Sequence, residues 1–328
     1  MPPEVVAQSE QFRMQLDAHD ASQATRMARA WGDATRSLEG EYERVVQEIG
    51  DLRARGLPVS RWHITRMERY QSLLRQIDAK QRELAPVMVD EIGSAQATLA
   101  RLGLEHSQAA LDFISPGIVG QFDRLPYSAV SNMVGTTAGG PVGRLLRESW
   151  GANAGAVGDA LVRGTALGWH PTRTAAAMRQ AADMNLTRAI TIARTEQLRV
   201  YRAATQMQYK AAGMGGYRRV ASKSIRTCLA CLMQDGQWFS IDVPFQEHVT
   251  GRCTMIPAKD PKANPVTWET GDTWFRRQDA ATQRSMMGPG KFAAWQNGRF
   301  GLADLPVLVE SDVWGGAWQV QSLQALTA

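Results

Sequence analysis

All three cysteines of this 328-residue chain fall within 26 residues, in the stretch TCLACLMQDGQWFSIDVPFQEHVTGRC at 227–253. Cys228 and Cys231 are separated by two residues; sixteen residues follow before His248, and four more before Cys253. A Cys-x2-Cys pair in a tight turn directs both sulfurs at one point, and a second pair donated after a short hairpin completes a tetrahedral shell. Cys228, Cys231, His248 and Cys253 are therefore candidate ligands of a single structural zinc, with no position left open for a substrate. Such a shell would staple a loop-rich subdomain whose own core is thin. Zinc with three thiolates carries about one net negative charge, and Arg226 and Arg252 are the neighbouring cations expected to offset it. Two other states of the same residues stay open: reduced thiols buried as small apolar groups, and a disulfide in an oxidising particle. A thioredoxin-like redox role is disfavoured, because the pair is expected in a turn between strand-like pieces rather than at the head of a helix.

The remaining composition narrows the class. A chain of this length exceeds one ordinary hydrophobic core, so two or three structural units are expected. No apolar run approaches the length that spans a bilayer. MPPEVVAQSEQF lacks the basic and apolar blocks of a secretory signal, which predicts a soluble chain made in a cytoplasm. The net charge of +5 is unevenly spread: residues 1–120 balance at −3, residues 121–260 at +8, and residues 261–328 at zero. The basic middle fits either a polyanion such as DNA, an acidic protein partner, or a solvated surface.

Apolar spacing predicts a mainly α protein: an elongated N-terminal helical arm, a helical middle domain, and a small α+β zinc-knuckle-like C-terminal domain. Leu38, Tyr42, Val45 and Ile49 form one stripe of a first helix within 4–49, weakened by Gly32 and Gly40 and so open to division in two. Gly56 and Pro58 break it, Ser60 caps a second helix carrying Ile64, Met67, Tyr70, Leu74 and Ile77, and Pro86 should stop or kink that helix. A third runs over 87–114. The arm thus covers 1–114, a Gly/Pro-rich hinge 115–151, a core of helices, knuckle and short strands 152–258, and an extension of short helices and tail 259–328. Within the core, helices are predicted over 152–168, 171–182 (with Pro171 at the first helical position) and 185–212. YRRVAS and QWFSIDV have strand content, and Asp235-Gly236 signals a turn. The residues around Trp314 and Trp318 show no period and read as a tail. His19, His63 and His106 are expected on the surface of the arm, and Trp150, Trp169 and Trp238 as packing anchors.

Upstream of the cysteines stands TRAITIARTEQLRVYRAATQMQY. An Ile-Ala-Arg-Thr-Glu helix, then CxxC, an Asp-Gly turn, and His and Cys at this distance resemble the Mu F-like phage head morphogenesis (minor head protein) family. The residues that carry the resemblance are Arg194, Thr195, Glu196, Cys228, Cys231, Asp235, Gly236, His248, Arg252 and Cys253, within about 185–258; RYQSLLRQI, MVGTTAGGPVGRLL and the segment beginning TWFRRQDAATQ add flanking similarity. The family typically shows His-x-x-Cys-Arg-Cys, whereas this chain reads His248-Val-Thr-Gly251-Arg252-Cys253, so one family cysteine is a glycine and four candidate ligands remain. The resemblance implies a minor structural or assembly protein of a tailed-phage head, made in the host cytoplasm and placed in the virion near the portal vertex. The portal protein is its implied partner, with the major capsid or scaffold protein and packaged DNA as open further ones, and no membrane. Arg194 and Glu196 stand two residues apart on a helix and point to different sides, which disfavours a shared catalytic role. Glu196 is expected to pair with Arg199 or to accept backbone bonds from the strand region. No phosphate-binding loop, HExxH or GxSxG occurs, so no enzyme is expected. The alternatives are a DNA-binding virion protein and a toxin or effector enzyme carrying a Mu F-like domain.

Overall fold

A computed structural model describes residues 3–57, 59–114, 145–146, 153–263, 265–311 and 315–328. The expected hinge at 115–151, with Trp150, lies outside the described residues except for Leu145 and Leu146. The described chain is mainly helical. Helix α1 (Pro3–Ala54) is followed by α2 (Arg61–Arg66), α3 (Glu68–Ile114), α4 (Asn153–Ala166) and α5 (Pro171–Ala211). No helix among the described residues is long and apolar enough to cross a membrane.

The expected second helix is broken at Met67, whose extended backbone ends α2 before α3 begins. Three other expected breaks are absent, for one reason. Helix α1 is a single element through Gly32 and Gly40, α3 continues through Pro86, and α5 runs unbroken where two helices were expected. A glycine costs a helix about 1 kcal/mol and an interior proline about 3. Against this stand the buried stripes: Met27, Trp31, Leu38, Tyr42 and Val45 on α1, and Leu73, Ile77, Leu84, Met88, Ile92 and Leu99 on α3. Each such side chain contributes roughly 1.5–3 kcal/mol, so burial on both sides of the breaker outweighs it. The cap assignments held by local chemistry are present: the Ser60 hydroxyl accepts from the His63 amide, and Pro171 opens α5.

The chain forms two compact units, and they are not sequential. One takes the described residues within 19–95 and 135–196; the other takes those within 1–18, 96–134 and 197–328. Each long helix contributes a stretch to both. In the first unit, Trp31 Nε1 donates to Asp183 at 3.2 Å, Gln23 donates to the Glu91 carbonyl at 3.2 Å, and Arg194 pairs with Asp20 at 2.5 Å.

The second unit holds both sheets. Strand β1 (Gly216–Val220) lies between β2 (Trp238–Ser240) and β3 (Thr254–Ala258), antiparallel to each, with Tyr217 opposite Phe239 and Pro257. Gly213, at φ 71°, ends α5 ahead of β1. A core of Val5, Ala110, Leu111, Tyr209, Tyr217, Met255 and Ile256 joins the sheet to helical stretches of the same unit. Gly103 is required there: a Cβ would lie 2.6 Å from the Tyr201 carbonyl oxygen of α5. Beyond β3 come α7 (Gly271–Arg276), α8 (Ala280–Met287), α9 (Pro289–Gln296), a 3-10 turn at Leu302–Asp304, and strands β4 (Pro306–Ser311) and β5 (Gly315–Val320), then α10 (Leu323–Leu326). The expected tail is thus a paired hairpin and a capped turn of helix. Trp318 faces Leu308 in its register, a pairing that no local period announces.

His106 departs from the expected surface position. It is buried, stacks on Phe12 with centroids 4.6 Å apart, and shares a hydrogen bond between Nδ1 and the Tyr201 hydroxyl. Burial pulls its pKa down to about 4 from an ordinary 6.5. The unfolded chain therefore takes up this proton first, as pH falls below 6.5. Stability from a neutral His106 is complete above pH 6.5 and is lost down to about pH 4, by roughly 3 kcal/mol at 1.4 kcal/mol per pKa unit. Urea midpoints at pH 7.5 and 4.5 test this: His106→Leu should flatten the fall by that amount, and an unchanged pH slope would refute it.

Candidate metal centre

The cysteine cluster is assembled from one helical turn, one loop and one strand. Cys228 is the N-cap of α6 (Leu229–Met233), a five-residue helix whose side chains are all buried. The pair therefore does sit at the head of a helix, contrary to the expected plain turn. The helix follows β1 of an antiparallel sheet, however, rather than a parallel strand. Three residues apart on a helical turn, Cys228 and Cys231 face one side. Cys253 immediately precedes β3, and His248 lies in the loop before it, where Thr250 adopts φ 60° and the Gly251 amide donates to the His248 carbonyl at 2.9 Å.

Donor atoms of Cys228, Cys231 and His248 lie within 4.8 Å of one another. Cys231, Cys253 and Glu247 make a second such group, sharing Cys231 with the first. Cys231 and Cys253 are buried and Cys228 half-buried. The three thiols are unbridged. Glu247 is the residue that spacing did not reveal. The Cys231 thiol donates to its Oε1 at 3.1 Å, and its Oε2 lies 3.0 Å from Arg219 and 3.9 Å from Arg202. Gly251 makes room for this carboxylate: a Cβ at 251 would fall 2.3–2.5 Å from the Glu247 side chain. The glycine that departs from the family pattern thus leaves the space this acid fills.

Two buried arginines surround the cluster, in place of the pair expected from proximity in sequence. Arg252 instead pairs with Asp17 at 2.9 Å, and Arg226 is exposed. Arg219, 1% exposed at the side chain, also donates to the Gln246 carbonyl at 2.6 Å. Arg202 donates to the carbonyls of Gly251 and Cys253, at 2.6 and 3.0 Å, and so fixes the loop that carries the last cysteine. Burial alone would raise the Glu247 pKa, but Arg219 and Arg202, with His248, hold it down at about 2. The bond from Cys231 and then His248 bring the Cys228 thiol down to about 4, while Cys231, bonded to Cys228 and Cys253 and buried, is pushed up. Burial opposes charge on His248, yet Cys228 and Glu247 raise it to about 9.

Asp235 and Gly236 do more than turn the chain. Gly236, at φ 83°, donates its amide to the Arg219 carbonyl at 2.8 Å. The Asp235 carboxylate, fully buried, accepts from the amides of Ala221 (2.7 Å) and Gly271 (3.0 Å) and from Trp268 Nε1 (3.2 Å), and pairs with Lys223 at 2.8 Å. It ties the end of β1 to the start of α7. Leu229, Leu232 and Met233 of α6 pack against Phe275, Phe300, Leu302 and Leu305, so the C-terminal elements are anchored on the cysteine-bearing turn. In the first unit, Arg194 pairs with Asp20, the Thr195 hydroxyl donates to the Thr191 carbonyl at 2.7 Å, and Glu196 is buried. Trp169 stacks under Arg173 at 4.1 Å and Trp238 stands over Gly216.

Residues 155–262 match the family model described as phage Mu protein F like protein. This third of the chain is Mu F-like. The Mu F-like segment takes in α5, the three-stranded sheet, α6 and every residue of the cysteine cluster, and stops before α7. No curated protein and no solved structure matches the chain significantly.

Proposed function

We propose that the protein is a minor structural component of a phage head, acting in head assembly or genome packaging close to the portal vertex. The match of residues 155–262 to the phage Mu protein F like family carries this reading. The internal chemistry of the segment supports a scaffold role over catalysis. Its buried ionised groups are engaged in holding the chain: Asp235 on two amides and an indole, Arg202 on two carbonyls, Arg218 on the carbonyls of Gly236 and Pro261, and Arg219 on Glu247. Arg202, Arg218 and Arg219 of the basic middle third are thus internal, whereas Arg163, Arg173, Arg188, Lys210, Arg226 and Lys259 are exposed, so a DNA-binding virion protein stays the alternative, since phosphates are met by exposed cations.

A nonsense mutation in the gene, in the phage or prophage that carries it, tests the proposal. Portal and major capsid protein should still be made while DNA-filled heads fall at least tenfold, and the wild-type protein should be detected in purified particles at far lower copy than the capsid protein. Normal yields of filled heads without the protein, or its absence from wild-type particles, would overturn it.

A further inference from the structure

We propose that Cys228, Cys231, His248 and Cys253 bind one zinc ion, and that Glu247 with Arg202 and Arg219 makes its buried surroundings electrically neutral. The proposal is independent of any role in the head, because it rests on the cluster alone.

Three observations converge on it. First, donors of the right kind stand close together: Cys228, Cys231 and His248 lie within 4.8 Å of one another, and Cys253 lies within the same span of Cys231 in a group completed by Glu247. Thiolate and imidazole sets in a closed tetrahedral shell favour zinc over magnesium or calcium, which take oxygen ligands. Second, the imidazole is oriented for ligation. A carbonyl can only accept, so the 3.0 Å contact of His248 Nδ1 with the Val249 carbonyl places a proton on Nδ1. Nε2 is the nitrogen left to bind a metal once its own proton is released, and it lies 3.5 Å from Glu247 Oε1, the oxygen that meets Cys231. Metal-bound histidines commonly have their second nitrogen held in this way.

Third, the charges balance with the metal bound. Two buried guanidiniums meet one carboxylate at Glu247, and burial makes any excess charge costly. Zinc with three thiolates contributes one negative charge, and Glu247 a second; together they cancel Arg202 and Arg219. The protons still held by the cysteines and the imidazole leave to solvent on binding. Glu247 is thus an outer carboxylate that sets the field of the site, and Gly251 is the residue that lets it approach.

Protein expressed in zinc-supplemented medium and purified without chelator should carry one zinc per chain by elemental analysis, with its three thiols protected from a thiol reagent. Cobalt substitution should show the charge-transfer intensity of three thiolates. Cys228→Ser should abolish stoichiometric metal. Glu247→Gln should shift zinc affinity about 10- to 100-fold from wild type, the range for an outer-shell partner. The double variant Glu247→Gln with Arg219→Gln restores the balance of charge and should bring the affinity back toward the wild-type value, even where the single variant folds poorly. Metal-free wild-type protein with three reactive thiols in the folded state would overturn the site. A two-thiolate cobalt spectrum would overturn the ligand set, and equal zinc affinities of the single and double variants would overturn the role given to Glu247.

Discussion

Glu247→Gln should lower the stability of the unit containing residues 197–328 by about 3–5 kcal/mol, the range for removing one member of a buried ion pair. The amide has the shape of the acid but no charge. Arg219, whose side chain is 1% exposed, and Arg202, at 7%, would then face each other's field without the carboxylate they share. At the usual effective dielectric of such sites, two like charges a few ångströms apart repel by several kcal/mol. Urea unfolding of chelator-treated protein, followed by tryptophan fluorescence, isolates this effect from metal binding. The exposed pair of Arg252 with Asp17 is the comparison, since Arg252→Gln should cost under about 1 kcal/mol. A Glu247→Gln midpoint within 1 kcal/mol of wild type would show that the arginines find other partners, and the charge argument would fail.

Asp235→Ala should cost roughly 3–5 kcal/mol and should loosen the C-terminal elements first. The substitution strands the Ala221 and Gly271 amides and the Trp268 indole N–H, and leaves Lys223 without its carboxylate. Each buried donor left unmade costs about 1–3 kcal/mol. Gly271 cannot shift to compensate, because it is packed so closely on α6 that a Cβ would lie 2.3 Å from the Leu232 carbonyl. Hydrogen exchange should speed up at the amides of α7 and of residues 219–221 before it does in α3. An exposed carboxylate such as the N-cap Asp279, which accepts from Thr282 at the start of α8, should cost about 1 kcal/mol on the same change. Equal losses from the two variants would contradict the hub role of Asp235.

The legible parts of the molecule were those set by neighbouring residues. Ser60 and Pro171 mark helix starts through side-chain and ring chemistry that acts within three residues. The strand at 216–220 follows a run of glycines that ends the helix, and the cysteine spacing draws attention to side chains that the fold brings near one another. Partner choice was illegible. Arg226 and Arg252 adjoin the cysteines in sequence, yet Arg202 and Arg219 adjoin them in space, reaching Glu247 from 45 and 28 positions away. His106 looked like a surface group because its helix is polar in outline; only Phe12 and Tyr201, brought to it by two other helices, make it a buried one.

What the chain determined alone is its local grammar: amphipathic periods long enough for helices, caps, turn glycines, and four donors close enough in sequence to meet. Tertiary structure decided which breakers are overridden, as at Pro86, and which charges go inside, as at Arg219. The physical reason is range. Backbone preference and capping are worth about 1–3 kcal/mol and act within a turn, whereas burial sums over many distant side chains. A charge can be buried only when its counter-charge arrives from elsewhere in the fold.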